Sequence, residues 1–254
     1  MTSRPMANYM KPCKSINLSF NFADPVTSLT RICGALISYN KTQLKIMDNP
    51  WLEILPDDYE NHMTEIGQAQ VLNKLIHDAL DRYLPRSFAL LGCSTGNGLE
   101  HVKSDLTQRV YAIDINPEYL KKTHEKFGNQ MKGLEIIKAD ILHDELNIGN
   151  VDLFFIGLVL EYTQPIMALK KIIRTLSEKG TLFIVIQRNQ QTSFVTKTKY
   201  KSLEKLAAIS HQVKEEEIDA YIQSEAMRRT HREEIELTPN KSFITLSYSK
   251  KQGK

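Results

Sequence analysis

The stretch Phe88-Ala89-Leu90-Leu91-Gly92-Cys93-Ser94-Thr95-Gly96-Asn97-Gly98 decides the fold. Its first four residues are apolar and predict a short buried strand, and three glycines follow within seven residues. Because glycine has no Cβ and tolerates positive φ, such a turn lets a ligand approach the backbone closely. Leu99, Val102 and Leu106 then follow at helical spacing. The stretch therefore predicts a strand, a tight turn and a helix N-terminus with free N–H groups.

A second apolar strand, 109–113, follows and ends in Asp114. In nucleotide-binding α/β proteins an acidic residue at this place accepts hydrogen bonds from ribose hydroxyls. The next residues, Asn116-Pro117-Glu118, have the pattern of a helix cap with proline at the first helical position. The second strand and helix thus repeat the order of the first.

Strands and amphipathic helices alternate through most of the chain. An amphipathic helix precedes the first strand and ends before Pro85; its apolar face is Val71, Leu72, Leu75, Ile76, Ala79, Leu80 and Tyr83. Further strands are predicted at 134–138, 151–156 and 181–186, with a helix from Pro165 that stops at Gly180. Near-continuous apolar strands of this kind predict a parallel sheet covered on both faces.

The last third of the chain has a different pattern. Residues 187–201 are polar and predict a loop, and helical segments are predicted at about 202–210 and 214–227. Two final strands, 229–237 and 243–248, are separated by a turn-rich connection short enough for a hairpin. The sequence therefore predicts a parallel sheet closed by an antiparallel last strand.

Composition excludes several functional classes. Apolar residues make up 41% of the 254, enough for a sizeable core, but no run approaches the roughly 18 apolar residues that span a bilayer. The three cysteines are widely spaced and indicate neither a disulfide framework nor a metal site, so a reducing, cytoplasmic location is expected. The net charge of +3 arises in residues 1–46, and the remainder is nearly neutral. Neither a nucleic-acid partner nor a membrane surface is predicted.

Residues 1–46 are rich in Ser, Asn, Thr and Lys and show no sustained period. Three interpretations stay open for them. They form a flexible extension, they are not native because translation begins at Met47, or they are an acid-poor targeting peptide. The functional domain is predicted to be residues 47–254.

Over roughly residues 50–250 the chain resembles the class I S-adenosylmethionine-dependent methyltransferases. The resemblance rests on motifs in a fixed order: Gly92–Gly98, Asp114-Ile115-Asn116, Ala139-Asp140-Ile141, Gly157–Tyr162 and Leu176–Leu182. It implies a Rossmann-like, doubly wound α/β fold with a mostly parallel seven-stranded sheet and an antiparallel last strand. Two positions depart from the usual pattern: the acidic residue that many members have near Leu90 is absent here, and Ser94 stands where glycine is frequent.

The resemblance also implies S-adenosylmethionine as cofactor and assigns residues to it. Its methionine part would lie against Gly92, Cys93, Ser94 and Gly96, with Gly157 and Leu158 near the methionine end. Asp114 would bind the ribose and Ile115 would pack on the adenine. Asp140 would accept from the adenine amino group, with Ile141 on the ring.

The expected reaction is methyl transfer to a small-molecule acceptor, with protein and RNA acceptors left open. Tyr59, His62, Glu161 and Tyr162 are candidate acceptor-pocket residues, without an assigned catalytic base. Methyl transfer from a sulfonium needs mainly positioning in a dry site, and a base only if the acceptor is protonated.

Three other functions compete. Gly92-Cys93-Ser94-Thr95-Gly96 matches the nucleophile elbow of serine hydrolases, with His211 or His231 following. A nicotinamide-dependent oxidoreductase is a second, although His101 stands where its third glycine is expected. A non-catalytic domain that binds S-adenosylmethionine is the third.

Overall fold

The computed structural model describes residues 49–250. One sheet of seven strands has the order β3-β2-β1-β4-β5-β7-β6. Its strands are β1 (Ser87–Leu91), β2 (Arg109–Asp114), β3 (Leu134–Lys138), β4 (Val151–Gly157), β5 (Leu176–Asn189), β6 (Met227–Thr238) and β7 (Lys241–Lys250). Strands β1 to β5 pair in parallel, whereas β7 is antiparallel to both β5 and β6. The predicted mostly parallel sheet with an antiparallel last strand is confirmed.

Five α-helices connect or precede these strands in the described residues: α1 (Pro56–Glu65), α2 (Gln68–Tyr83), α3 (Pro117–Phe127), α4 (Pro165–Thr175) and α5 (Glu215–Ser224). Four short 3-10 helices add to them: Pro50–Glu53, Leu99–His101, Leu160–Tyr162 and Lys201–Ala208. The predicted cap of α3 is confirmed, since the Asn116 side chain accepts the N–H groups of Glu118 and Tyr119.

The helices cover both faces of the sheet, because successive strand residues point to opposite sides. On one face Leu90 and Phe155 pack with α2 and α3. On the other, Leu91 and Ile156 pack with α4 and α5. The apolar face predicted before Pro85 accordingly buries Leu72, Leu75, Ile76, Ala79 and Leu80. This double covering confirms the doubly wound α/β class.

The helix predicted directly after the glycine turn is wrong. Only a single 3-10 turn, Leu99–His101, forms there, and the chain is extended again at Val102. The connection is too short for a stable helix, since β2 begins at Arg109. Leu99 is nevertheless fully buried, so its apolar character reflects the core and not a helical face.

Two other boundaries also differ from prediction. Helix α4 ends at Thr175, and Leu176 already pairs with Val151 as the first residue of β5. Gly180 does not end the helix; it lets two backbones approach, because an added Cβ would lie 2.7 Å from the Val151 carbonyl oxygen. The segment predicted as a helix at about 202–210 is the 3-10 helix Lys201–Ala208, and α5 is shorter than its predicted span of 214–227.

No helix among residues 49–250 is long and apolar enough to cross a membrane. The interpretations of residues 1–46 concern a segment outside the described residues.

Candidate functional site

The glycine turn after β1 is held in an unusual backbone conformation. Gly92, Ser94, Gly96 and Gly98 all have positive φ, of 71°, 50°, 89° and 90°. The N–H groups of Gly92 and Cys93 both donate to the Ile113 carbonyl at 2.8 and 3.1 Å, which ties the turn to β2. A left-handed conformation at Ser94 explains why glycine is frequent at this place in the resembling family.

Asp114, at the end of β2, is buried behind this turn with 8% of its surface exposed. Its Oδ2 accepts the Ser94 N–H at 2.9 Å, and its Oδ1 accepts the Asn116 N–H at 2.9 Å. Burial raises the pKa of Asp114 to about 6, although the hydrogen bonds from the backbone of Asn116, Ser94 and Ile115 lower it. The carboxylate therefore organises the two loops.

A cavity of about 490 Å³, here called the glycine-turn cavity, lies beside the turn. It is bordered by the turn itself, by α1 and α2, and by the C-terminal end of α3; its lining includes Gly92, Cys93, Ser94, Gly96 and Gly157. The Ser94 Oγ is buried without a hydrogen-bond partner in the described residues. This volume lies within the roughly 300–1,000 Å³ range of small-molecule sites.

A second, smaller cavity of about 40 Å³ adjoins the first and is here called the glutamate cavity. The predicted residues His62, Leu158, Glu161 and Tyr162 line it, whereas Tyr59 and Met63 line both cavities. Gly157 and Leu158, adjacent in the chain, border one cavity each. The structure thus brings all four predicted acceptor-pocket residues to one place.

Glu161 is the buried charged group of the glutamate cavity, with 1% of its surface exposed. Its Oε1 accepts the Gln187 N–H at 2.5 Å, and its Oε2 has no partner in the described residues. Burial raises the pKa of Glu161 to about 7, although the Gln187 hydrogen bond lowers it. A carboxyl with such a pKa can accept or release a proton near neutrality.

His62 also lines this cavity. Its Nδ1 is 2.9 Å from the Thr198 Oγ1, and 3% of the residue is exposed. Burial lowers the pKa of His62 by more than the negative charge of Glu65 raises it, so the neutral imidazole is favoured.

Four aromatic rings pack against one another beside the glutamate cavity, which three of them line. The Trp51 ring lies 5.0 Å from that of Tyr162 and 5.8 Å from that of Tyr59, which in turn lies 5.5 Å from Tyr119. The Asn116 Nδ2 donates to the Trp51 carbonyl at 2.8 Å. The segment preceding α1 is therefore hydrogen-bonded to the loop that follows Asp114.

Four of the predicted cofactor residues line neither cavity: Asp114, Ile115, Asp140 and Ile141. The Asp140 Oδ1 accepts the Leu142 N–H at 2.9 Å, and its Oδ2 lies 2.8 Å from the His143 Nδ1. Asp140 thus stabilises its own turn, as a helix or turn cap would.

Several residues of the site have no signal in the sequence. Glu60 of α1 accepts hydrogen bonds from both Thr95 and Lys126, and Lys126 reaches it at 2.6 Å. Gln68 donates to Gln187 at 2.8 Å and joins α2 to the end of β5. These contacts join elements far apart in the chain, and no local spacing encodes them.

The geometry does not support the hydrolase alternative. The Ser94 Oγ has no hydrogen-bond partner among residues 49–250, so no histidine of that range activates it. Burial, with the nearby Asp114 charge, raises the pKa of the Cys93 thiol well above its usual value. Cys93 is therefore an unreactive buried residue.

Comparison with known families agrees with the topology. Residues 90–184, from β1 into β5, match the family described as "Methyltransferase domain". Over these residues the chain is similar to methyltransferase domains. No curated protein matches the sequence.

Solved methyltransferase structures share the fold at low identity. The plantazolicin methyltransferase BpumL, in complex with SAH, aligns with a TM-score of 0.58 and 15% identity over 82% of this chain and 99% of its own. The magnesium protoporphyrin IX methyltransferase from Synechocystis PCC 6803, with bound SAH, aligns with a TM-score of 0.54 and 14% identity over 73% of this chain and 84% of its own. The [4+2]-cyclase SpnF aligns with a TM-score of 0.56 and 12% identity over 72% of this chain and 82% of its own. The methyltransferase fold is thus also found in a protein named for a different reaction, and the fold alone does not define this domain's reaction.

Proposed function

We propose that this protein is an S-adenosylmethionine-dependent methyltransferase that acts on a small-molecule acceptor, with residues 47–254 as its catalytic domain. The observation that carries the proposal is the glycine turn, whose backbone borders a cavity of about 490 Å³. The similar structures of BpumL and of the Synechocystis enzyme contain SAH, the product form of this cofactor.

The residues of the turn fit the methionine end of the cofactor. An added Cβ at Gly92 would lie 2.4 Å from the Val159 Cγ2, so the turn cannot carry a side chain there without rearrangement. Ser94 lines the cavity, and its buried Oγ has no hydrogen-bond partner in the described residues. Gly92, Ser94 and Gly96 would hold the methionine part, and Asp114 the ribose hydroxyls.

Bound S-adenosylmethionine supplies a methyl group on a sulfonium whose leaving group is a neutral thioether. The chain's own residues then have two tasks. The aromatic residues around Trp51 exclude water, and the lining of the glutamate cavity orients the acceptor toward the glycine-turn cavity. Because the two cavities share Tyr59 and Met63, an acceptor in the smaller one would face a cofactor in the larger one.

Calorimetric titration of the full 254-residue chain with S-adenosylmethionine and S-adenosylhomocysteine tests the cofactor assignment. Micromolar binding is expected, and Asp114→Ala should weaken it by about 1–3 kcal/mol, the cost of an unpaired buried polar group. Absence of binding by the folded wild type would overturn the proposal.

A methyl-transfer assay tests the reaction itself. Methyl-labelled S-adenosylmethionine is incubated with the protein and a small-molecule metabolite extract, and label is expected in low-molecular-mass product. Cofactor binding without any transfer would instead favour the non-catalytic binding domain.

A further inference from the structure

Glu161 lines the glutamate cavity, and one of its two carboxylate oxygens has no hydrogen-bond partner in the described residues. A buried carboxylate normally finds partners for both oxygens, because an unpaired buried charge is costly. Here Oε1 is bound by the Gln187 N–H, while Oε2 has no partner in the described residues. No lysine or arginine is among the described residues that line the cavity. Within residues 49–250, no lysine or arginine of the lining therefore neutralises this carboxylate.

The remaining walls of the cavity are suited to an organic cation. Trp51, Tyr59, Tyr162 and Phe194 line it together with the carboxylate. Aromatic faces attract a cation more strongly when both are desolvated. The volume of about 40 Å³ accommodates a small group, since one water needs roughly 10–15 Å³ by the same kind of measure.

We propose that the glutamate cavity binds the amino group of an amine acceptor, with Glu161 Oε2 as its hydrogen-bond and proton acceptor. The inference rests on the proposed function and specifies its substrate class. A carboxylate group would be repelled by Glu161, and a hydroxyl would gain no cation–π attraction from the aromatic walls.

The chemistry balances without a further reactant. An ammonium group has no free electron pair, so it first transfers one proton from nitrogen to Glu161 Oε2. The nitrogen pair then forms the new N–C bond with the methyl carbon as the S–C bond breaks, and the sulfur keeps that electron pair. The raised pKa of Glu161, about 7, suits this proton transfer. The other titratable groups on the cavity are Tyr59, His62 and Tyr162.

The test compares three small probes of similar size: propylamine, 1-propanol and propionate. Their binding to the full-length chain is measured by ligand-observed NMR, with and without saturating S-adenosylhomocysteine. We expect propylamine to bind at least about tenfold more tightly than the other two, the scale of one charge-assisted contact. Equal binding of amine and alcohol would overturn the inference.

Glu161→Gln keeps an oxygen for the Gln187 N–H and removes the charge, so it should lower propylamine affinity about tenfold. Glu178→Gln, at an exposed position that does not line the cavity, is the matched control and should leave the affinity unchanged. Unchanged amine affinity in a folded Glu161→Gln variant would refute the assignment.

The wild type alone provides a second measurement if that variant does not fold. Propylamine affinity should rise as the pH increases through about 7, while 1-propanol binding stays flat. A flat propylamine profile would count against Glu161 as the partner. The probes are also measured without S-adenosylhomocysteine, so the amine preference is tested independently of the cofactor. Absence of S-adenosylhomocysteine binding would refute the proposed function and leave the amine measurement interpretable.

Discussion

The backbone N–H of Ser94 donates to the Asp114 Oδ2 at 2.9 Å, across 20 residues of chain. This single contact joins the turn after β1 to the end of β2. The Asn116 N–H occupies the other oxygen at 2.9 Å, so the carboxylate fixes both loops. Asp114, which the resemblance assigns to the cofactor, thus holds together the turn after β1 and the loop after β2.

Asp114→Asn should therefore destabilise the protein and weaken S-adenosylhomocysteine binding. An amide has only one acceptor oxygen, so its NH₂ group would face one of the two backbone N–H donors. We expect a loss of about 1–3 kcal/mol in the free energy of unfolding, measured by urea denaturation. Asp140→Asn is the control, because its turn is partly exposed, and it should cost less than about 1 kcal/mol. Equal losses in both variants would contradict this role of Asp114.

Glu161 should make stability depend on pH in an unusual direction. Its pKa is about 7 in the folded protein and near 4.5 when unfolded. A raised carboxyl pKa means that the folded state holds the proton more tightly. The resulting stabilisation is complete below about pH 4.5 and is lost as the pH rises through about 7.

Glu161→Gln should remove this loss. As the pH rises from about 4.5 to about 7, the unfolding free energy of the variant should increase relative to that of the wild type by up to about 3 kcal/mol. Urea denaturation at a series of pH values measures the difference. A difference that does not vary with pH would mean that Glu161 has an ordinary pKa in the folded protein.

Glu60 should hold α1 over the glycine turn. Burial raises its pKa, but hydrogen bonds from Lys126 and Thr95 outweigh this and keep the pKa below its usual value. Glu60→Ala should accelerate amide hydrogen exchange in α1 more than in α2, with a loss of stability of about 1 kcal/mol. Asp57→Ala removes a more exposed pair with Lys122 and should have a smaller effect. Similar exchange in both variants would exclude a special role for Glu60.

The sequence predicted the sheet well because the central parallel strands β1, β2 and β4 are near-continuous apolar runs. It failed at residues 99–106, where helical spacing occurs without a helix. Leu99 is fully buried, but Gly98 at φ 90° and the early start of β2 leave room for one 3-10 turn only. In a short segment, apolar residues at this spacing are expected both on a helix face and in a buried connection. The number of residues between the two strands decides which of the two forms.

The positions of the glycine turn and of Asp114 were predictable from local sequence, whereas contacts between distant elements were not. The glycine turn and Asp114 follow directly from two strand ends. The contact between Gln68 and Gln187 spans 119 residues, and that between His62 and Thr198 spans 136. Such contacts form only when the whole domain is folded, so no local sequence pattern predicts them.

Gly92→Ala should be far more damaging than Gly67→Ala. Both glycines have positive φ, of 71° and 74°, so both substitutions carry a similar backbone cost of about 1–2 kcal/mol. An added Cβ at Gly67 meets nothing within 4 Å, whereas at Gly92 it would lie 2.4 Å from the Val159 Cγ2. Gly92→Ala should therefore also displace the turn and weaken S-adenosylhomocysteine binding at least about tenfold.

The double variant Gly92→Ala/Val159→Ala isolates the steric part of this effect. Removing the Val159 methyl groups takes away the clash, so the double variant should lose less stability than the sum of the two single losses. A coupling of about 1 kcal/mol or more is expected from urea denaturation, with partial recovery of S-adenosylhomocysteine affinity by calorimetry. Strict additivity would show that Gly92 is required for its backbone conformation alone, and Gly67→Ala would then be equally destabilising.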